Sequence, residues 1–221
     1  MKVLVFAPHP DDEVLGVGGT IAKRAANGDE VYVCVVTKGT EPLWEEAPVM
    51  RIQQQCREAD KSLGVIDTLF LNFPAVMLET VPRYELNGKI SDVVQEIKPD
   101  EVYIPHRGDM QIDHKMIVDA CMVALRPKYK HVIKRIYSYE TLSETGWDIP
   151  NVVNDFIPTV YENISDFLEL KIRALSFFTG QVGQFPNPRS LETVNYLAKF
   201  RGSTVNCIAA EAFSLIREIK D

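Results

Sequence analysis

A chain of 221 residues with 46% hydrophobic content carries enough apolar material for one sizeable core, and we read it as a single domain, residues 1–221. Its formal net charge of −7, from 31 acidic against 24 basic side chains, excludes a nucleic-acid binder, which needs a basic face. The roughly six apolar residues ahead of Pro8 are too few for a signal segment or a membrane span, so no integral membrane segment and a cytoplasmic location are expected.

The elements follow a regular alternation. "KVLVFA" is a buried strand, followed by a helix from Asp12 to Ala26 closed by Asn27-Gly28. "EVYVCVVTKG" is a second strand and "APVMRIQQQCREADKSLGV" a second helix ending at Gly64; "DTLFLNF" is a third strand. "KISDVVQEIKPDEVYIPH" gives a helix, a Lys-Pro-Asp stop and a fourth strand over Glu101 to Pro105. "DHKMIVDACMVALRP" is a helix halted by Pro127, and "VIKRIYSYE" a fifth strand. Beyond it, "NDFIPTVYENI" is strand-like, while Ser165 to Thr179 and "RSLETVNYLAKFRG" are helical. This alternation predicts an α/β fold, a Rossmann-like three-layer sandwich with a mostly parallel sheet and helices on both faces. Cys34, Cys56, Cys121 and Cys207 show no CxxC pairing and are read as free thiols, with disulfides the lesser alternative.

Right-handed crossovers bring all parallel strand ends to one edge, where ligands bind in such sheets. The first strand delivers His9, Asp11 and Asp12 there, and the fourth delivers His106, Asp109, Asp113 and His114. An N-cap requires only one carboxylate, so His-Pro-Asp-Asp-Glu holds more charge than capping explains. His9, Asp12 and His114 together offer three N/O ligands with a fourth position open, the arrangement of a catalytic zinc, one ion per chain. Magnesium would prefer several carboxylates and no imidazole. Asp11 is left free as a general base, a role worth roughly 10²–10⁴ in rate. Gly16, Gly18 and Gly19 do not spell GxGxxG and are read as allowing close helix–sheet packing.

"APHPDDE" after a first strand, with "GDMQIDH" about a hundred residues later, resembles the PIG-L/LmbE-like family of zinc-dependent N-deacetylases. "FIPTVYENIS", "NPRS", "LAKFRG" and "EAF" extend the resemblance over most of the chain. The resemblance implies His9, Asp12 and His114 as metal ligands and Asp11 as general base. It also implies removal of the N-acetyl group from an N-acetylglucosamine-type sugar or glycoconjugate, the expected small-molecule partner.

One departure is clear: many members read His-x-Asp-His where this chain has Gln111-Ile112-Asp113-His114. Glutamine donates a hydrogen bond but delivers no proton near neutral pH. Another branch of the family, with a histidine before Gly-Asp and an amide at this position, resembles this chain more closely, and that resemblance implies His106 as the replacement acid. Asp113 is grouped with the catalytic residues, with helix capping its alternative. Asp109 is expected to support the site by orienting an imidazole. Arg51 and Gln111 are candidate substrate contacts, Arg51 against the plainer reading of an exposed arginine, which applies equally to Arg189 and Arg201. Trp44 is read either as a stacking platform for a sugar or as packed against the second helix. Tyr137 and Tyr139 are read as core residues by default. Two alternatives stay open: a metal-dependent amidohydrolase acting on another small acyl or carbamoyl group, and a non-catalytic metal- or sugar-binding relative. The oligomeric state is also open, a homo-oligomer included.

Overall fold

The computed structural model describes residues 1–128, 130–150 and 154–220. Strands and helices alternate as β1 (Lys2–Ala7), α1 (Asp12–Ala26), β2 (Glu30–Lys38), α2 (Glu46–Leu63), β3 (Asp67–Pro74), α3 (Arg83–Ile97), β4 (Glu101–Pro105), α4 (Ile112–Ala124) and β5 (Arg135–Tyr139). The chain continues through β6 (Val160–Asn163), α5 (Leu168–Leu175), α6 (Leu191–Ser203) and β7 (Ala210–Glu218).

The seven strands lie in the order β3-β2-β1-β4-β5-β7-β6. Strands β1 to β5 are parallel, and β7 runs antiparallel to both β5 and β6. The chain winds outward from β1 through β2 and β3, then crosses back to place β4 on the other side of β1. Loops leaving β1 and β4 therefore diverge at the centre of the sheet, and this switch point is where such sheets open a crevice.

Strand β1 shows why the sheet is covered on both sides. Val3, Val5 and Ala7 join the core with α1, α2 and α5, whereas Leu4 and Phe6 join the core with α3 and α4. Side chains alternate across a strand, so a continuous apolar run needs apolar partners on both faces. Gly16 lets α1 approach β5 closely: a Cβ there would lie 2.2 Å from the Tyr139 ring. Tyr139 itself is core, its hydroxyl donating to the Phe6 carbonyl at 2.8 Å, and Tyr137 stacks on Tyr103. All four cysteines are free.

The helix expected over Ser165 to Thr179 is shorter, α5 spanning Leu168–Leu175, and two further differences from expectation have a clear physical reason. Helix α3 begins at Arg83, directly after Pro82, rather than at Lys89; proline just ahead of the first helical residue suits a helix start, and Gly88 inside "RYELNGK" masked it. Strand β7 was absent from the sequence reading. Its buried half is Ala210-Glu211-Ala212-Phe213, in which two alanines and an inward glutamate hide the apolar signal.

Glu211 explains itself in three dimensions. Its carboxylate accepts from the backbone N–H groups of Gly19 and Thr20, at 2.8 and 2.7 Å. Lys171 from α5 donates to Glu211 at 2.6 Å and to the Leu15 carbonyl at 2.8 Å. A buried ion pair thus grips α1 at Leu15 and Gly19, one turn behind the residues that form the site.

On the same side of the sheet, Glu13, Cys56 and Asp60 are buried together. Cys56 lies 3.6 Å from Glu13 Oε1 and 3.8 Å from Asp60 Oδ2, and Thr68 donates to Asp60 at 2.7 Å. Burial pushes Asp60 up to about 7, and it raises Glu13 well above the ordinary carboxylate range, helped by the neighbouring Asp60 and Asp11 charges. With both carboxyls raised, protons neutralise this cluster.

Two outcomes are expected. Lys171→Met leaves Glu211 buried without its cation, costing about 3 kcal/mol or more and lowering the melting temperature by roughly 6–12 °C in calorimetry. Folded Asp60 holds its proton at pH values where the unfolded carboxyl has lost it, so stability falls as pH rises from about 4 to about 7. Thermal melts across that range will show a shallower decline for Asp60→Asn than for the parent chain.

Candidate metal centre and substrate pocket

The turn after β1 is fixed from both sides. Thr37 at the end of β2 donates its backbone N–H and its hydroxyl to the Pro8 carbonyl, at 3.0 and 2.7 Å. Asp11 adopts φ 112°, and its N–H donates to Glu13 Oε2 at 3.1 Å. Glu13 therefore secures the turn, whereas Asp11 occupies the N-cap position of α1 with no side-chain capping bond. Capping does not account for Asp11, whose carboxylate oxygens are buried and accept no hydrogen bond. The nearest charge is Arg189 Nη1, 3.3 Å away.

His9, Asp12 and His114 converge, with donor atoms within 4.8 Å of one another. Asp12 Oδ2 lies 3.2 Å from His9 Nδ1 and 3.4 Å from His114 Nε2. Each imidazole is held at its other nitrogen by a carboxylate: His9 Nε2 lies 3.1 Å from Asp113 Oδ2, and His114 Nδ1 lies 2.8 Å from Asp109 Oδ2. Such carboxylate–histidine pairs orient a ligating ring and raise its basicity. Asp109 is itself fixed by the Thr145 hydroxyl, and Asp113 by the Val76 N–H at 2.7 Å. Val76 adopts φ 52°, a strained conformation for a β-branched residue, at the point where its N–H meets this carboxylate.

Electrostatics follow from burial among mixed charges. Burial alone would raise Asp12, but His114 and His9 override it and hold its carboxyl well below the ordinary range. Burial would likewise depress both histidines, yet the hydrogen bonds of Asp113 and Asp12 lift His9 to about 8. The Asp12 and Asp109 carboxylates lift His114 to about 10. Asp11 is pushed up to about 7, first by burial and then by Asp12, against the pull of Arg189. His114 Nε2 and Asp12 Oδ1 are buried without hydrogen-bond partners, so two donor atoms of the cluster are left unsatisfied by the protein. An N₂O donor set of this kind fits a divalent cation of the zinc type.

A pocket of about 210 Å³ opens onto His9, with Gln111, Arg189, Gln181, Lys38 and Trp44 among its walls. Trp44 is partly exposed and packs beside Gly39, where a Cβ would come within 3.0 Å of the indole. Of the nine site residues expected from sequence, Asp11, Asp12, Asp109, Asp113, His9, His114 and Gln111 are brought together at this edge. Asp113 is an orienting group on His9 rather than a helix cap, since Gln111 holds the cap position of α4. His106 and Arg51 fall outside the cluster. The His106 ring donates from Nε2 to the Asn154 carbonyl at 2.9 Å and packs on Phe156, which turns it to the loop and away from the pocket. Arg51 is exposed on α2, although its neighbours Ile52 and Gln53 line the pocket.

Arg189, read from sequence as an exposed arginine, is instead the cation at Asp11; it also donates to Gln181 and Ser143. Glu144 is a further addition. Burial raises its carboxyl, and His114 and Arg189 lie within electrostatic reach of it. Both sit in segments without periodicity, so only "NPRS" gave any advance signal.

Residues 4–125 match the family model described as PIG-L, GlcNAc-PI de-N-acetylase. The chain is 30% identical over 182 residues to the uncharacterized deacetylase YaiS of Escherichia coli (strain K12), spanning 78% of this chain and 88% of that protein. It is 28% identical over 192 residues to the probable N-acetyl-alpha-D-glucosaminyl L-malate deacetylase 2 of Bacillus cereus, spanning 81% and 83%. The solved structure of N,N'-diacetylchitobiose deacetylase from Pyrococcus horikoshii superposes with a TM-score of 0.77 at 22% identity, covering 97% of this chain and 83% of that one. Among the described residues no helix is long and apolar enough to cross a membrane.

Asp109→Asn and Asp113→Asn each remove a carboxylate that holds an imidazole of the candidate metal site. Each is expected to weaken metal binding by about 10–100-fold, measured by competition with a chromophoric chelator. The motifs at the ends of β1 and β4, the seven-stranded sheet and the family match agree: this chain belongs to the PIG-L family of de-N-acetylases.

Proposed function

We propose that this protein is a zinc-dependent hydrolase that removes the N-acetyl group from an N-acetylglucosamine-type sugar or glycoconjugate. The observation that carries the reading is the pairing of a three-donor cluster with an adjacent, unbonded Asp11 carboxylate beneath a sugar-sized pocket. His9, Asp12 and His114 would hold the ion, and bound zinc supplies Lewis-acid polarisation of the amide carbonyl and a more acidic water.

The remaining work falls to the chain. Asp11, raised by burial to about 7, is suited to take a proton from the attacking water and to return it to the departing amine nitrogen. That double duty suits this sequence, because Gln111 donates a hydrogen bond but no ionisable proton and His106 faces the Asn154 carbonyl. Arg189, on the pocket wall, pairs with the Asp11 carboxylate behind it. Gln111, on the pocket wall, would donate to the oxygen on which negative charge develops, a contribution typically worth about 2.7–4 kcal/mol.

The decisive measurement is release of acetate and a primary amine from N-acetylglucosamine derivatives by zinc-loaded protein, with loss after chelation and recovery on adding zinc back. Asp11→Asn is expected to lower kcat by about 10²–10⁴-fold while still binding zinc. Full turnover by the chelated protein, or an Asp11→Asn variant as active as the parent, overturns the reading. Release of a different acid from an acyl and carbamoyl panel would favour the broader amidohydrolase.

A further inference from the structure

The charge on the pocket wall is the reverse of the charge on the chain. Acidic residues outnumber basic ones 31 to 24 in the whole protein, yet the wall carries two cations, Lys38 and Arg189, and no carboxylate. Arg189 is already engaged by Asp11, Gln181 and Ser143. Lys38 is half-buried and, among the described residues, makes no side-chain hydrogen bond or ion pair.

Lys38 is also rigidly placed. It is the last residue of β2; its carbonyl accepts from Ala75 N–H at 2.9 Å, and the preceding Thr37 clamps the Pro8 carbonyl. Its backbone thus lies between the turn that carries His9 and the segment that carries Val76. A binding group set on a strand is held more accurately than one on a loop. Beside it, Trp44 presents a partly exposed indole to the same cavity. An ammonium with no partner among the described residues is open to a ligand of opposite charge.

We propose that Lys38 and Trp44 form an anion subsite next to the catalytic centre, and that the group attached to the acetamido sugar carries a carboxylate or phosphate held by Lys38. Trp44 packs on the apolar face of the sugar ring, while the acetamide lies toward His9 and Asp11. This subsite rests on the deacetylase reading for its substrate, but not for its binding. Family membership does not decide the matter, since one relative is named for a malate glycoside and one neighbour for diacetylchitobiose. In a chain of net charge −7, a local cationic wall also admits an anionic substrate against the overall repulsion.

The test is equilibrium binding of four ligands to zinc-loaded protein by calorimetry, with turnover of the same compounds measured separately. N-acetylglucosamine 1-phosphate and N-acetylglucosaminyl malate are the phosphate and carboxylate arms; methyl N-acetylglucosaminide and diacetylchitobiose are neutral. The parent chain is expected to bind at least one anionic ligand about tenfold more tightly than the neutral pair. Lys38→Ala should collapse that ratio to about one, Lys38→Glu should invert it, and Lys38→Arg should restore it. Added salt should weaken only the anionic arm. Equal affinity for all four ligands in the parent chain, or an anionic preference that survives Lys38→Ala, overturns the subsite. Absence of amine release from every compound would count against the deacetylase reading, while the binding ratios would still decide the subsite.

Discussion

Four carboxylates, Asp11, Asp12, Asp109 and Asp113, are buried against two imidazoles at the centre of the sheet edge. Ionised carboxylates withdrawn from water are strongly unfavourable without compensating charge. Arg189 supplies one positive charge at Asp11, and the raised histidines supply more when protonated. A divalent cation between His9, Asp12 and His114 would satisfy the same requirement while releasing both imidazole protons, so metal affinity and charge balance are one constraint. The orphaned His114 Nε2 and Asp12 Oδ1 show where that compensation belongs.

The rest of the fold keeps this charge in register. Because β1 and β4 are neighbours that lead into opposite halves of the sheet, the donors on their loops meet without either loop being long. The orienting carboxylates tie in further segments: Asp113 reaches the strained Val76 after β3, and Asp109 reaches Thr145 beyond β5. Helix α1 begins at Asp12, a residue of the candidate metal site, and the Lys171–Glu211 pair holds it one turn further on. A buried ion pair contributes little net stability by itself. Its value here is positional, because it links α1 to α5 and β7, elements far away in sequence.

Much of this was legible before the structure. The five parallel strands and α1 announce themselves through continuous apolar runs and clear stop signals, and strand ends carry chemistry in such sheets. His9, Asp12 and His114 could be grouped because topology alone unites them. What stayed hidden depends on backbone conformation or on the irregular tail. Val76 acts through its N–H, which no side-chain pattern reports. Arg189 lies in a proline-flanked turn, where exposure is the better guess, and Glu211 looks like a polar interruption of a strand. His106 lies in the same β4 loop as Asp109 and was grouped with it on sequence grounds. A single turn after Pro105 sends the two side chains apart.

That divergence bears on how the chain manages with Gln111 where the family resemblance implies a histidine in many members. A histidine there offers a second titratable group, so proton removal and proton delivery can be divided between two residues. With glutamine the hydrogen-bonding function survives and the proton-carrying function does not. Among the described residues the pocket wall carries no imidazole other than His9, which has both ring nitrogens facing carboxylates. On the proposed function the proton would travel through Asp11, whose raised affinity for it suits a group acting in both directions: near neutrality, gaining and losing the proton cost similar amounts of energy. If Asp11 serves the reaction as proposed, its burial beside Asp12, with Arg189 limiting the rise, would let one carboxylate do what two groups otherwise share.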